Sequence, residues 1–377
     1  MPKINNLLKN FFLVLAGFAV ALALMEVALR CYNPFEIRFK PDRIVLPVHK
    51  RYVIDNAGKF TKLEKITVHT KNSLGFRGAP PPGDFARYLT VITVGGSTTE
   101  CFYLSDGKTW TDVLGRKLVR DFNRVWVNNA GLDGATTYRH IILLEDYLVQ
   151  LKPKLILFLV GINDVGAGNL EAANRRKSGG LKNLTRSIAN HSEVYSLGQN
   201  LYRYLVAQER GLHHQEMDLK AEGTLEGIPE KTREETLLGY KNRSLPYYRQ
   251  RLEKLVWICR NHGIEPVFLT QPVLYGKGID PATGVNLESV RLGENLNGRL
   301  MDDIVELYND TVRQVGQKEQ VLVIDLARKM PRDSAYFYDY LHYTDRGAEK
   351  VAEIVYRELR PYLLEKYGGL IKNGTKN

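Results

Sequence analysis

Cysteine is scarce in this chain. Only Cys31, Cys101 and Cys259 occur among 377 residues, and an odd number of thiols cannot be fully paired within one chain. A disulfide framework is not expected, no Cys/His spacing of the metal-binding kind is present, and the redox compartment stays open. Acidic residues are also in deficit: 53 Lys and Arg face 42 Asp and Glu, a formal net charge of +11. Such a balance favours anionic surroundings such as phospholipid head groups, acidic glycans or nucleic acid. No zinc-finger spacing or RNA-binding aromatic motif accompanies it. The charge therefore reads as a solvated basic surface, and no nucleic-acid partner is expected. Internal repeats and low-complexity tracts are missing as well, which argues against a repeat architecture.

Long apolar runs are rare, and the clearest stands at the N-terminus. Lys3 and Lys9 precede FFLVLAGFAVALALM, residues 11 to 25, which carries no charge; Glu26 follows, then VAL, then Arg30. Counted through Leu29, a helix here would be about 28 Å long at ~1.5 Å per residue, close to a hydrocarbon core of ~30 Å. Lysines ahead of the run favour a cytoplasmic N-terminus with the remainder exported. Three readings compete. The favoured one is an uncleaved signal anchor over residues 1–30. A cleaved signal peptide is the second, because Ala21-Leu22-Ala23 offers an A-x-A site. A buried helix of a soluble protein is the third. Arg30 directly before Cys31 argues against a lipoprotein.

Residues 31–85 read as a juxtamembrane linker and lead-in, with NSLGFRG (72–78) and Pro80 to Pro82 in extended or turn structure. From residue 86 onward the pattern alternates. Strands are expected over Arg87–Val94, Val125–Asn128, Lys154–Val160, Glu265–Thr270 and Val321–Leu326. Helices are expected over Thr109–Asn123, Thr137–Leu151, Tyr247–Asn261, Leu300–Val315 and Gly347–Tyr362. Lys154–Val160 is nearly all apolar, as in a strand covered on both faces. Residues 165–240 are polar and lack a clear strand; they read as a helical insertion, either a lid or a plain excursion. The alternation predicts an α/β fold with a parallel sheet and helices on both faces, here a catalytic domain over 86–370. In such sheets ligands bind beyond the carboxyl ends of the strands.

Chemically capable residues follow the strands. Gly95-Gly96-Ser97 follows the first, NNAGLDGATT with Gly131 and Gly134 the second, Gly161-Ile162-Asn163-Asp164 the third. Asp339-Tyr340-Leu341-His342 lies between the last strand and the last helix. A serine hydroxyl needs a histidine to take its proton, the histidine needs a carboxylate to hold its tautomer, and the oxyanion needs donors. The Ser97 N–H, the Gly134 N–H and the Asn163 amide can supply three. Taken singly, each motif reads as well as a turn or a cap; jointly, in this order, they are far more specific.

The chain here resembles the SGNH hydrolases, the GDSL-type esterases and lipases, over roughly residues 88 to 365. VGGSTT matches the nucleophile block, NNAGLDGATT the second block, GIND the third and DYLH the last. The resemblance implies Ser97 as nucleophile, Gly134 and Asn163 with Ser97 as oxyanion hole, Asp339 as orienting acid and His342 as general base. It also implies a flavodoxin-like three-layer α/β/α sandwich. The family's name motif has Asp before Ser where this chain has Gly96. In this, and in its NSLGFRG stretch, the chain looks like membrane-anchored bacterial members with a Gly-Gly-Ser block.

The reaction expected is ester hydrolysis through an acyl-enzyme, without metal or other cofactor. The expected substrate is an exported glycan bearing O-acetyl or other short acyl groups. The alternatives are O-acyl transfer to a polysaccharide by the same triad, or a lipase or lysophospholipase acting on a lipid ester. A non-catalytic glycan-binding envelope protein is disfavoured by the complete constellation. Gln271 and Tyr340 are candidate substrate contacts, with a turn and packing as their plainer readings. Tyr336, Tyr338 and Tyr343 crowd the same motif. Cys101 reads as packing, and His213, His214 and His262 as surface residues without evident partners.

Overall fold

Leu89–Gly95 is the strand around which the chain is organised, and all seven of its residues are buried. In the computed structural model, residues 2–32, 38–40, 43–170, 187–209 and 214–372 are described. The chain divides into two units, Met1–Pro47 with Ala172–His213, and Val48–Glu171 with His214–Asn377.

The larger unit holds five parallel strands: β1 (Leu89–Gly95), β2 (Val125–Asn129), β3 (Leu155–Leu159), β4 (Glu265–Leu269) and β5 (Leu322–Ile324). Their spatial order is β2-β1-β3-β4-β5. The register pairs Val91 with Val127 on one side and with Leu155 on the other. Because Cβ atoms alternate across a strand, the two faces of β1 and β3 each need a covering layer. Helices α2 (Trp110–Leu118) and α6 (Asp345–Lys366) pack together over Val91, Leu155 and Leu157. Helices α3 (Thr137–Leu143), α4 (Leu245–Asn261) and α5 (Gly298–Glu319) form the other layer, α4 lying against both α3 and α5. This is the expected three-layer α/β/α sandwich.

Local chemistry sets the helix ends. Thr109 and Asp112 form a reciprocal capping box at the start of α2. Thr344 caps α6 by accepting from the Gly347 N–H at 3.1 Å. The helix expected to run to Asn123 stops at Leu118 instead. Beyond it Asp121 turns its carboxylate to Arg360 of α6, 2.9 Å away, a tertiary bond that local periodicity does not reveal. The helix expected over Thr137–Leu151 widens to a π turn at Leu144–Leu148.

The stretch read as a linker is more structured than expected. Lys50–Asp55 and Ile66–Lys71 form an antiparallel hairpin with Tyr52 opposite His69, and from Val48 onward the chain belongs to the sheet's unit. The NSLGFRG segment then docks on the sheet: Arg77 and Asn129 exchange backbone hydrogen bonds of 2.9 Å. The Arg77 side chain is 1% exposed. Its guanidinium donates to the carbonyls of Glu100, Cys101 and Leu104 at 3.0, 2.6 and 2.7 Å. Alternating apolar residues suggested none of this, because the segment is held by polar side chains reaching main-chain carbonyls.

Part of the expected 165–240 insertion lies outside the described residues, namely 171–186 and 210–213. Within it, helix Glu230–Arg243 is tied to α5 by Arg233 and Asp303 at 2.6 Å. In the smaller unit, helix Pro2–Cys31 includes a 24-residue apolar span, Leu8–Cys31, and is a candidate transmembrane segment. Glu26, the charge near its end, accepts from the Glu193 and Val194 N–H groups and so caps helix Glu193–Glu209. A carboxylate that would be costly in lipid thus has four partners, Arg30 and Ser192 included.

Two predictions concern stability of the detergent-solubilised chain. Arg77→Met should lower the unfolding free energy by about 2–4 kcal/mol, read from the urea midpoint, because three carbonyls lose a charged donor. The second concerns pH. Burial holds the His140 imidazole down at about 4. The unfolded chain binds that proton below about 6.5 and the folded one does not, so stability falls as pH drops from 6.5 to 4, by ~1.4 kcal/mol per unit. His140→Gln should show a correspondingly shallower pH dependence in that window.

Candidate active site

The site is assembled at the carboxyl ends of β1, β2 and β3, with two further loops. β1 ends at Gly95, and Ser97 opens the four-residue helix α1 (Ser97–Glu100). A Cβ on Gly95 would overlap Thr99 and the Leu159 carbonyl, and a Cβ on Gly96 would overlap the Asn163 amide nitrogen. Both glycines are therefore required by close approach. The family's usual aspartate before serine has no room here unless Asn163 moves.

The Asp339–His342 motif meets this serine from the other end of the sequence. His342 Nε2 lies 2.7 Å from Ser97 Oγ, and His342 Nδ1 lies 2.6 Å from Asp339 Oδ2. The other Asp339 oxygen accepts from the backbone N–H groups of Leu341 and His342 at 2.9 and 2.8 Å. Burial would raise the Asp339 pKa, but His342 and these two N–H bonds outweigh it and hold the carboxyl below its ordinary value. It stays ionised and fixes the proton of His342 on Nδ1, leaving Nε2 free to accept.

The candidate oxyanion donors besides Ser97 lie on the loops after β2 and β3. Asn163 sits in a single turn of 3-10 helix, and its Nδ2 donates to the Ala135 carbonyl at 3.1 Å, which leaves a second amide hydrogen available. Its neighbour Asp164 is buried and anchors the turn, accepting from Thr137 Oγ1 at 2.6 Å and from Arg251 at 3.2 Å. Gly134 has φ +64° with open space where a Cβ would lie. Its loop is held by Gly131, where a Cβ would overlap the backbone of Thr99 and Glu100.

The two candidate substrate contacts are placed otherwise than expected. Gln271 is 1% exposed. Its side chain accepts from Thr98 Oγ1 at 3.2 Å and donates to the Pro272 carbonyl at 2.9 Å. It therefore braces the helix that Ser97 begins, because buried amides are held by internal partners. The Tyr340 ring packs 5.7 Å from that of Tyr275, and its hydroxyl is buried rather than presented to a ligand. Of the neighbouring tyrosines, Tyr338 stacks on His342 at 5.5 Å with 11° between planes, and Tyr343 packs on Phe337. Cys101 is packing, as expected: burial pushes its thiol up to about 12.

Sequence reasoning missed two residues. Glu100, on the helix of Ser97, is 1% exposed. It accepts from Lys71 at 2.8 Å and from the Asp133 N–H at 2.8 Å, so it joins the hairpin to the Gly134 loop. His214 was read as a surface residue; it lies against the His342 ring, centroids 4.1 Å apart. The reading fails because its partners come from distant segments: Tyr338 Oη at 2.8 Å and Asp133 Oδ2 at 3.4 Å. Burial would depress this imidazole, but Asp133 outweighs it and lifts its pKa above the ordinary value. His262 is exposed, as expected, and His213 lies outside the described residues. Among the described residues, His214, Asp339 and His342 are the group whose donor atoms could gather round one ion, all lying within 4.8 Å of one another. The His214 nitrogens meet Tyr338 and Asp133, whereas those of His342 meet Asp339 and Ser97.

Distant likenesses to solved structures are found. The acetylxylan esterase Axe2 from Geobacillus stearothermophilus is 16% identical, with 71% of this chain and 93% of that one covered and a TM-score of 0.41. The acetyl xylan esterase AlAXEase is 13% identical, covering 71% and 98%, with a TM-score of 0.40. TesA is 14% identical, covering 72% and 98%, also with a TM-score of 0.40. None of the curated proteins compared matches the chain. The sequence profile of the GDSL-like lipase/acylhydrolase family, by contrast, matches residues 93–350, a span that runs from within β1 into α6 and takes in all four motifs. The chain belongs to the GDSL-like lipase/acylhydrolase family and is a carboxylic ester hydrolase.

Proposed function

We propose that the chain hydrolyses short-chain esters, O-acetyl groups above all, on a glycan outside the cytoplasm, through an acyl-enzyme on Ser97. The observation that supports this most is the continuous relay from Asp339 through His342 to Ser97, with bonds of 2.6 and 2.7 Å. In this reading His342 Nε2 takes the Ser97 proton as Oγ attacks the ester carbonyl. Asp339 stabilises the imidazolium, and the Ser97 N–H, the Gly134 N–H and Asn163 Nδ2 receive the oxyanion. His342 then protonates the departing sugar hydroxyl. Water enters, His342 removes its proton, and the acyl group leaves as the acid.

The substrate class is inferred from the groups packed around His342. Tyr103, His214 and Tyr338 cluster there, with ring centroids 5.2 Å apart for Tyr103 and His214, and the Asp133 carboxylate lies alongside. Hydroxyl, imidazole and carboxylate groups suit a hydroxyl-rich alcohol better than an alkyl chain, and flat rings suit a sugar face. The apolar N-terminal helix, with Lys3 and Lys9 ahead of it, supports a domain held at a membrane on its outer side.

Acetate release from O-acetylated polysaccharides by the full chain in detergent tests the reading. Ser97→Ala should lower the rate at least ~10⁴-fold, and full residual activity would overturn the assignment. Acetate recovered on an added acceptor glycan, instead of in solution, would make the reaction an acyl transfer.

Gly96→Ala supplies a second test. Its new methyl must displace the Asn163 amide, so kcat should fall about 10–100-fold with KM little changed, since one oxyanion donor is worth ~10²–10³ in kcat. In an Asn163→Ala background the same substitution should cost almost nothing, because the donor it displaces is already gone.

A further inference from the structure

His214 occupies a position that the four motifs do not account for. It comes from within the 165–240 insertion, and nearby Met217 donates its N–H to the Tyr338 carbonyl at 2.9 Å, which pins the segment to the loop of Asp339 and His342. Its imidazole is 15% exposed and both ring nitrogens are engaged. Nδ1 meets the Tyr338 hydroxyl at 2.8 Å, and Nε2 meets Asp133 Oδ2 at 3.4 Å. Tyr338 belongs to the loop of the acid and base. Asp133 precedes Gly134, the candidate oxyanion glycine. One side chain therefore bridges the two halves of the site.

We propose that His214 is a positioning residue for the ester hydrolysis, locking the His342 ring in plane and coupling the Asp339–His342 loop to the Gly134 loop. The proposal rests on the reading of Ser97 and His342 given above.

The physical need arises partway through the reaction. Once His342 has taken the serine proton and the acyl group sits on Ser97, the imidazolium no longer has Ser97 as an acceptor. Only Asp339 then holds it by a hydrogen bond. It must stay in plane until it hands the proton to the leaving alcohol. The His214 ring at 4.1 Å and the Tyr338 ring at 5.5 Å bound the space into which it would tip. A pinned neighbour restricts that motion without a covalent tie, and small misplacements of a catalytic group are expensive in rate.

His214 also acts by its charge. The groups that face it are Tyr338, Asp133, the Tyr103 ring and His342, with Asp339 and Glu100 acting through space. Asp133 favours the protonated form of His214, which places positive charge beside the His342 ring.

The test compares His214→Ala and His214→Gln with the wild-type full chain in detergent, with thermal unfolding followed by circular dichroism. The expected result for His214→Ala is a kcat for p-nitrophenyl acetate about 10–100-fold lower. KM and the melting temperature should stay close to wild type. The acid limb of kcat/KM should be displaced, because the site loses a titrating neighbour in ring contact with His342. His214→Gln, which can restore one hydrogen bond, should recover part of kcat while leaving the acid limb displaced. In an Asp133→Asn background His214→Ala should cost less than it does alone. A kcat within twofold of wild type with an unmoved acid limb would overturn the proposal, as would a loss of kcat wholly matched by a loss of folded protein. Ser97→Ala or His342→Ala retaining activity would instead overturn the reading of the triad itself, so the two failures are distinct.

Discussion

The carboxylate of Glu100 is the constraint on which the rest of the site depends. It is buried on the helix that Ser97 begins, and its two oxygens face different parts of the chain. One takes the Lys71 ammonium from the hairpin that precedes the sheet, and the other takes the Asp133 N–H from the loop after β2. The Glu100 carbonyl, with its neighbours, takes the Arg77 guanidinium. Breaking a buried ion pair from one side leaves an uncompensated charge, so each partner is held by the desolvation cost of losing the other. The result is a rigid corner at which Ser97, the Gly134 loop and the NSLGFRG segment are fixed relative to one another.

The same corner lies beside the departure of this chain from the family's usual nucleophile block. An aspartate before the serine would supply a hydrogen-bonding carboxylate close to the turn. Here the position is Gly96, and the space it leaves is filled by the Asn163 amide. A buried carboxylate is nonetheless present close by, on Glu100, three residues after Ser97. The helix is thus anchored from its C-terminal side, by Glu100 and by the Arg77 bonds to the carbonyls that follow.

Much of the fold was legible because its signals are local. β1, β3 and β4 are apolar runs of the length a covered strand needs, and α2 and α6 announce themselves by caps and periodicity. The hairpin and the NSLGFRG docking were not legible, since they are held by single polar side chains reaching far-off carbonyls. The end of α2 was overestimated for the same reason: Asp121 is drawn to Arg360, 239 residues away. Gln271 stands out in the sequence because it follows a strand, and Tyr340 because it lies within the last motif. The first turned inward to brace Thr98 and the second packed on Tyr275, because nearness along a chain does not say which side of a strand end a side chain takes.

By itself the sequence indicated the parallel α/β layout and the apolar N-terminal helix, and it singled out Ser97, Gly134, Asn163, Asp339 and His342 as candidate site residues. The layout and the helix follow from composition and spacing, and the candidate residues from strand-end positions together with the family resemblance. Only the tertiary structure decided that Ser97 and His342, separated by 245 residues, stand 2.7 Å apart. It alone brought His214 onto the base, made Gly96 the space for Asn163, and set Glu100 between Lys71 and the Gly134 loop. The division has a physical cause. Strand and helix formation is written in short-range periodicity, whereas a buried polar group finds its partner wherever the packed layers put one, and burial without that partner is too costly to persist.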